Sequence, residues 1–247
     1  MARRRHLKNA PIVEAIVDFR VKLQAEFEVT TLASIKETLG DSYPQMEERR
    51  EIEAGIKVKG KRVEHIVEEK GLQGYFFKSP DGKNVAQFRN DGFTFSRLKP
   101  YTEWQDVLAE AKKLWELYKN RASPVLVTRI AVRYINQLGI PLPIEDLAKY
   151  LNAPPTIPQN FPQELCHFLT RVTVRDPKFD IMAHVIQALE KGSKRGSVTI
   201  ILDIDVFKQK ESGFGEREIW QTFKQLRSLK NRIFFDSITE KTARLFE

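Results

Sequence analysis

At 247 residues, 41% hydrophobic and 30% charged, the chain can bury a sizeable core as one large domain or two ordinary ones. No apolar run approaches the roughly 20 residues of a bilayer-spanning helix. Behind the opening MARRRH, Pro11 and Glu14 interrupt what a secretory leader would need as an apolar core, so a cytoplasmic location is expected. A single cysteine, Cys166, excludes an intramolecular disulfide, and four scattered histidines lack zinc-site spacing. The net charge of +8 favours an anionic partner without naming a function.

Ile12 to Leu23 alternates, with Val13, Ala15, Val17, Phe19 and Val21 opposite Glu14, Asp18, Arg20 and Lys22, the pattern of a half-buried strand. Thr30 or Thr31 can cap a helical stretch carrying Leu32, Ile35 and Leu39 and stopped by Gly40. A second helical piece is expected from Pro44 to about Glu53. Short apolar runs from Gly55 to Arg97, broken at Pro80-Asp81-Gly82 and Asn90-Asp91-Gly92, predict an antiparallel meander. Thr102 then caps a helix in which Trp104, Val107, Leu108, Ala111, Leu114, Trp115 and Tyr118 recur every three or four residues.

Pro124 restarts the programme. Val125 to Asn136 alternates again, Ile144 to Leu151 reads as a short helix, and Pro141, Pro143, Pro154, Pro155, Pro158 and Pro162 stiffen the connection around it. Strands follow at Phe168–Arg175, Ile181–Leu189 and Val198–Phe207, with Gly192 to Gly196 as a turn, then a helix over Gly215–Lys230 with Ile219, Trp220, Phe223 and Leu226 on one stripe. Ile233-Phe234-Phe235 reads as an apolar knot, and Ser237 with Glu240 has capping-box spacing for a short, docked terminal helix. The fold class is therefore α+β: two tandem β-α-β(3-4)-α repeats, 1–122 and 123–247, with antiparallel sheets and long amphipathic helices on one face.

On alternation alone Arg129 and Arg133 share a strand face, as do Glu14 and Asp18, Arg171 and Arg175, and Asp203 and Asp205. In one continuous sheet covered by helices on its other side, all eight would line the open face. Arg129, Arg133, Arg171 and Arg175 are candidate anion clamps, since guanidinium donates bidentately to phosphate or carboxylate. Cross-strand ion pairing with Glu14 and Asp18 is the plainer alternative. Asp203-Ile204-Asp205 places two carboxylates where they could share a magnesium ion, although such pairs are also ordinary strand faces.

Candidates for nucleic-acid contact are Arg3, Arg4, Arg5, His6 and Lys8, then Lys57, Lys59, Lys61 and Arg62 on the first hairpin, and Lys191, Lys194 and Arg195 on another. No aromatic residues interleave with them as a stacking platform would require. Gly55 to Lys61 has phosphate-loop spacing, but Arg62 stands where the magnesium-binding hydroxyl belongs, so it reads as a hairpin. Cys166 beside His167 reads as a buried, packing cysteine, and His65 and His184 as ordinary sheet positions.

Three segments carry a resemblance: Asn9-Ala10-Pro11-Ile12-Val13-Glu14-Ala15; Val127-Thr128-Arg129-Ile130 with Arg133-Tyr134-Ile135-Asn136; and Leu229-Lys230-Asn231-Arg232-Ile233-Phe234-Phe235-Asp236-Ser237-Ile238-Thr239-Glu240-Lys241. Together they resemble a sporadically distributed family of uncharacterised bacterial and archaeal proteins of about this length. The resemblance implies no activity, cofactor or catalytic residue. Patchy distribution fits an accessory role such as defence or toxin neutralisation. The element order is similar to the duplicated, saddle-shaped fold of the TATA-binding protein, a likeness of topology only. The expectation is a non-enzymatic binding protein, without cofactor or membrane association and with a homodimer allowed, whose sheet face or interrepeat groove holds a protein or nucleic acid. The alternative is an enzyme or sensor for a phosphorylated or nucleotide ligand.

Overall fold

The computed structural model describes residues 1–59, 62–163, 165–191 and 196–247, with the main chain alone over 52–59 and 62–70 and at 191. Alternation produces β1 (Ile12–Lys22) as expected. The stretch after it is a 3-10 turn, Val29–Ser34, running into a short α1 (Ile35–Leu39). Glu28 occupies the cap position and no side-chain cap forms there.

Where a second helix was expected, Gln45–Lys59 forms β2, paired with β3 (Arg62–Lys78) in a long hairpin. The run from Gln45 to Glu53 is rich in helix formers but has no apolar stripe. Met46 and Glu48 instead find Phe77 and Tyr75 across the ladder, and the pairing overrides local propensity. The meander continues through β4 (Asn84–Arg89) and β5 (Gly92–Leu98). Two glycines permit its close contacts: at Gly74 (φ +151) and Gly92 (φ +153) an added Cβ would come within 2.1 Å of the Phe88 carbonyl oxygen and 2.0 Å of that of Phe19.

Helix α2 (Trp104–Ala122) follows, with Glu103 rather than Thr102 in the cap position. Strand β6 (Leu126–Pro141) runs five residues beyond the expected Asn136. The short helix expected over Ile144–Leu151 is reduced to a 3-10 turn, Leu147–Lys149, within the proline-rich connection. Strands β7 (Leu169–Asp176), β8 (Ile181–Lys191) and β9 (Ser197–Gln209) form a second meander. Helix α3 (Glu216–Ser237) then absorbs the Ile233-Phe234-Phe235 knot as its last turns, because all three continue the helical spacing. The terminal helix α4 (Glu240–Arg244) is capped by Thr239, whose hydroxyl accepts from the Thr242 N–H, two residues later than the Ser237 cap expected; Ser237 donates to the Ile233 carbonyl within α3.

All nine strands belong to a single antiparallel sheet in the order β2-β3-β4-β5-β1-β6-β9-β8-β7. Among the described residues no helix is long and apolar enough to cross a membrane. The core lies on the helix side. Phe19 of β1 is its hub, stacked on Trp115 of α2 at 4.1 Å between ring centroids and approached by Phe223 of α3 at 5.2 Å and Trp220 at 6.0 Å. Offset and edge-on aromatic pairs of this kind add about 0.5–1.5 kcal/mol each beyond burial.

The C-terminal residues dock as expected. Ile238 is fully buried and bridges to Leu151, and the Thr242 hydroxyl donates to the Tyr150 carbonyl. The first residues fold over the same end: the Ala2 N–H donates to the Phe235 and Ile238 carbonyls, and Asn9 N–H to that of Phe246.

Candidate functional site

The face opposite the helices carries most of the charged residues singled out by alternation. Strand register brings Asp18 beside Thr94 of β5 and Ala131 of β6, and Arg133 beside Asp205 of β9. Arg129 donates to Asp18 Oδ2 (3.0 Å) and Asp205 Oδ2 (2.9 Å) while its guanidinium lies over the Phe207 ring; Arg133 grips both oxygens of Asp203 (2.9 and 2.6 Å). Asp18 also accepts from the Thr94 hydroxyl and from the buried Arg89, which reaches Asp91 with its Nε. Burial pushes the Asp205 carboxyl above its ordinary value despite the opposing pull of Arg129 and Arg133. A shallow polar cavity of 650 Å³ lies over this network.

Of the cross-strand pairs expected, Asp18 with Arg129 is present, and Arg129 and Arg133 also engage the two carboxylates offered as metal ligands; Glu14 and Arg171 take part in no ion pair among the described residues. Asp203 and Asp205 point the same way, but each is held by an arginine. Among the described residues no group of three or more His, Cys, Asp or Glu could hold a metal ion. Arg171 and Arg175 lie on edge strand β7, three strands from Arg129 and Arg133, or about 14 Å at ordinary strand spacing. Arg175 donates to Asp180. His184 bonds to Thr173 and packs on Phe207. Cys166 is exposed and lies before β7, contrary to the buried position expected, because the proline-rich connection carries it outside the sheet.

A second cavity, of 380 Å³, opens where the start of β1, the approach to α2 and the last turns of α3 meet under the N-terminal residues. It is lined by Arg4, Arg5, His6, Lys8, Arg227 and Lys230, and among its described lining residues there is no carboxylate. Arg5 is answered by Glu240 and Glu247. Lys230 is only 7% exposed, and its ammonium sits 3.6 Å from the centroid of the Tyr134 ring, without a hydrogen-bond or ion-pair partner among the described residues. Burial, aided by the positive Arg227, pulls the Lys230 ammonium down to about 7. Arg227 itself lies over the Trp104 ring. Tyr134 donates to the hydroxyl of Tyr101, another wall residue, at 3.0 Å.

Lys230 and Arg227 were not among the residues that alternation and charge runs single out. The signal was present in the stripe of α3: Ile219, Phe223, Leu226, Lys230 and Phe234 follow three- and four-residue spacing, so the lysine takes a core position among apolar neighbours. Of the nucleic-acid candidates, Arg4, Arg5, His6 and Lys8 line this cavity. Arg3 is exposed beside it, with its main-chain N–H on Glu240. Lys61, Lys194 and Arg195 lie outside the described residues, as do the side chains of Lys57, Lys59, Arg62, His65 and Lys191. All three segments that carry the resemblance contribute to the cavity wall, through Pro11 and Ile12, through Asn136, and through Lys230, Asn231, Phe234 and Phe235.

No protein-family model matches the chain, and no curated protein matches it either.

Proposed function

We propose that the protein is a non-enzymatic binding protein that holds an anionic ligand in the cavity at the end of its sheet. One observation carries this reading: Lys230 is buried, has no counter-ion among the described residues and faces a cavity whose described lining holds five other basic residues and no acid. Leaving a buried charge uncompensated costs about 3–5 kcal/mol. An anion would supply the missing partner, whereas Arg129 and Arg133 of the open face already have theirs.

The strand order supports two repeats, 1–122 and 123–247, as the frame for this site. Each half begins with a central strand, β1 or β6, and each returns to that strand through a meander before its long helix. In this reading the cavity is the groove between repeats, with β1 and the approach to α2 on one side and α3 on the other. A nucleic-acid strand supplying the anion through its backbone is the second reading, favoured by exposed Arg3 and Arg4 beside the mouth.

The test is the melting temperature in phosphate, sulfate and citrate at constant ionic strength against chloride. A ligand at a hundred times its Kd stabilises by about 2.7 kcal/mol, roughly 5–10 °C for a chain of this size. A flat response to all three anions refutes the reading. Loss of binding to single-stranded DNA and RNA at low salt refutes the nucleic-acid version alone.

A further inference from the structure

We infer that the ligand of this end cavity is a nucleoside phosphate, its terminal phosphate seated on Lys230 and Arg227 and its ring system against the apolar wall; this rests on the anion-binding reading above. Charge argues for phosphate over a single carboxylate. Lys230, Arg227, Arg4 and Lys8 all face the cavity without a carboxylate partner among the described residues. A phosphomonoester, with about −1.5 to −2 charge and three acceptor oxygens, answers more of them than a monoanion would. Lys230 offers three donors and no acceptor. Tyr134 supplies only its ring face to that ammonium, because its hydroxyl is turned to Tyr101.

Shape argues for a ring. At 380 Å³ the cavity lies in the range of small-molecule sites, about 300–1,000 Å³, and is too confined for a folded partner. Its basic side is the stripe Arg227, Lys230 and Asn231 of α3, residues that share one helix face. The wall is otherwise apolar or aromatic, with Leu7, Pro11, Ile12, Tyr101, Phe234 and Phe235. The Asn231 amide and the Thr102 hydroxyl add the few directional groups that would read the edge of a base, whereas the Asn136 amide is spent on the Tyr134 and Leu202 carbonyls. The wall contributed by the N-terminal residues is fastened by Ala2 and Asn9 main-chain bonds and by the Arg5 pairs to Glu240 and Glu247, so the pocket is built before the ligand arrives.

Titration calorimetry on the full chain tests this with inorganic phosphate, the four common nucleoside monophosphates, their parent nucleosides, and a short single-stranded oligonucleotide with or without a 5′-phosphate. At least one nucleotide is expected to bind ten-fold or more tighter than inorganic phosphate, with its nucleoside not binding. Lys230→Met and Arg227→Gln should each weaken that nucleotide at least ten-fold, while Arg171→Gln, on the far edge strand, leaves it unchanged. Equal affinity for the 5′-phosphorylated oligonucleotide, lost in the 5′-hydroxyl form, identifies the source of the phosphate as a nucleic-acid end; binding of free nucleotide alone identifies a small metabolite. Nucleotides no better than inorganic phosphate overturn the inference and leave the anion reading standing. No binding by any phosphate overturns both. Retained affinity in folded Lys230→Met and Arg227→Gln variants places the ligand elsewhere and also overturns it.

Discussion

Lys230 and Asp18 are both buried ionisable residues, and the structure treats them in opposite ways. Asp18 receives Arg89, Arg129 and Thr94, so its charge is compensated in place. Asp18→Ala would take one carboxylate from the buried Arg89 and from Arg129, which keep Asp91 and Asp205, and a loss of about 1–3 kcal/mol is expected from urea midpoints. Arg133→Met, although the arginine side chain is 44% exposed, leaves the Asp203 carboxylate, 10% exposed, without its arginine, and should cost about 1–3 kcal/mol.

Lys230 has no such partner among the described residues, and its pKa falls to about 7 from an unfolded value near 10.4. Between those two values the unfolded chain binds the extra proton, so stability rises with pH across that window and is flat below it. The groups facing Lys230 are Arg227 on its own helix, Tyr134 of β6, Tyr101 before α2, and Arg4, Arg5, His6 and Lys8 of the N-terminal residues. Lys230→Met should therefore be the more stable protein by a few kcal/mol at pH 6.5, with the gap closing by pH 9.5. A pH-independent gap in denaturant midpoints would exclude this account.

At the scale of elements, the two close main-chain contacts of the first meander have a direct consequence. Gly92→Ala forces a Cβ to within 2.0 Å of the Phe19 carbonyl oxygen, between β5 and β1, and is expected to lower stability by more than about 3 kcal/mol. Gly40→Ala, at φ +47 and ψ −131 but with open space around it, strains the backbone without a clash and should cost about 1–3 kcal/mol. A thermal melt of each variant separates the two.

Strands β1, β6 and β9 were legible in the sequence because one face is buried and the other charged, so period two survives in the residues. The first part of strand β2, Gln45 to Glu53, was not, since its residues are mostly polar and its partner lies across the hairpin, whereas the run from Gly55 was read as part of the meander. The last turns of α3 were obscured by a capping pattern at Ser237 that the helix overrides. Periodicity placed the eight alternating charges in pairs on the faces of their own strands, but that one sheet gathers them, and which carboxylate meets which arginine, depended on strand order and register. The cavity at Lys230 is assembled from residues more than a hundred positions apart, and a charged residue on the α3 stripe was its one local trace.

For the whole molecule, the continuous ladder means that the two halves share main-chain hydrogen bonds through β1 and β6 rather than a side-chain interface. Unfolding is expected to be a single cooperative transition, with far-UV and near-UV signals coinciding; two separated transitions would show the halves to be independent. The same central placement sets a timetable during synthesis. Strand β1 is made before the other eight strands of the sheet, yet its two neighbours, β5 and β6, come much later. At about 5–20 residues per second, Asn136 follows its partner Ile12 by roughly 6–25 s. The ring of Phe223 that packs on Phe19 comes roughly 10–40 s after it. The most apolar strand of the first half therefore waits on the ribosome with both edges open, making nascent β1 the segment with the greatest need for chaperone cover.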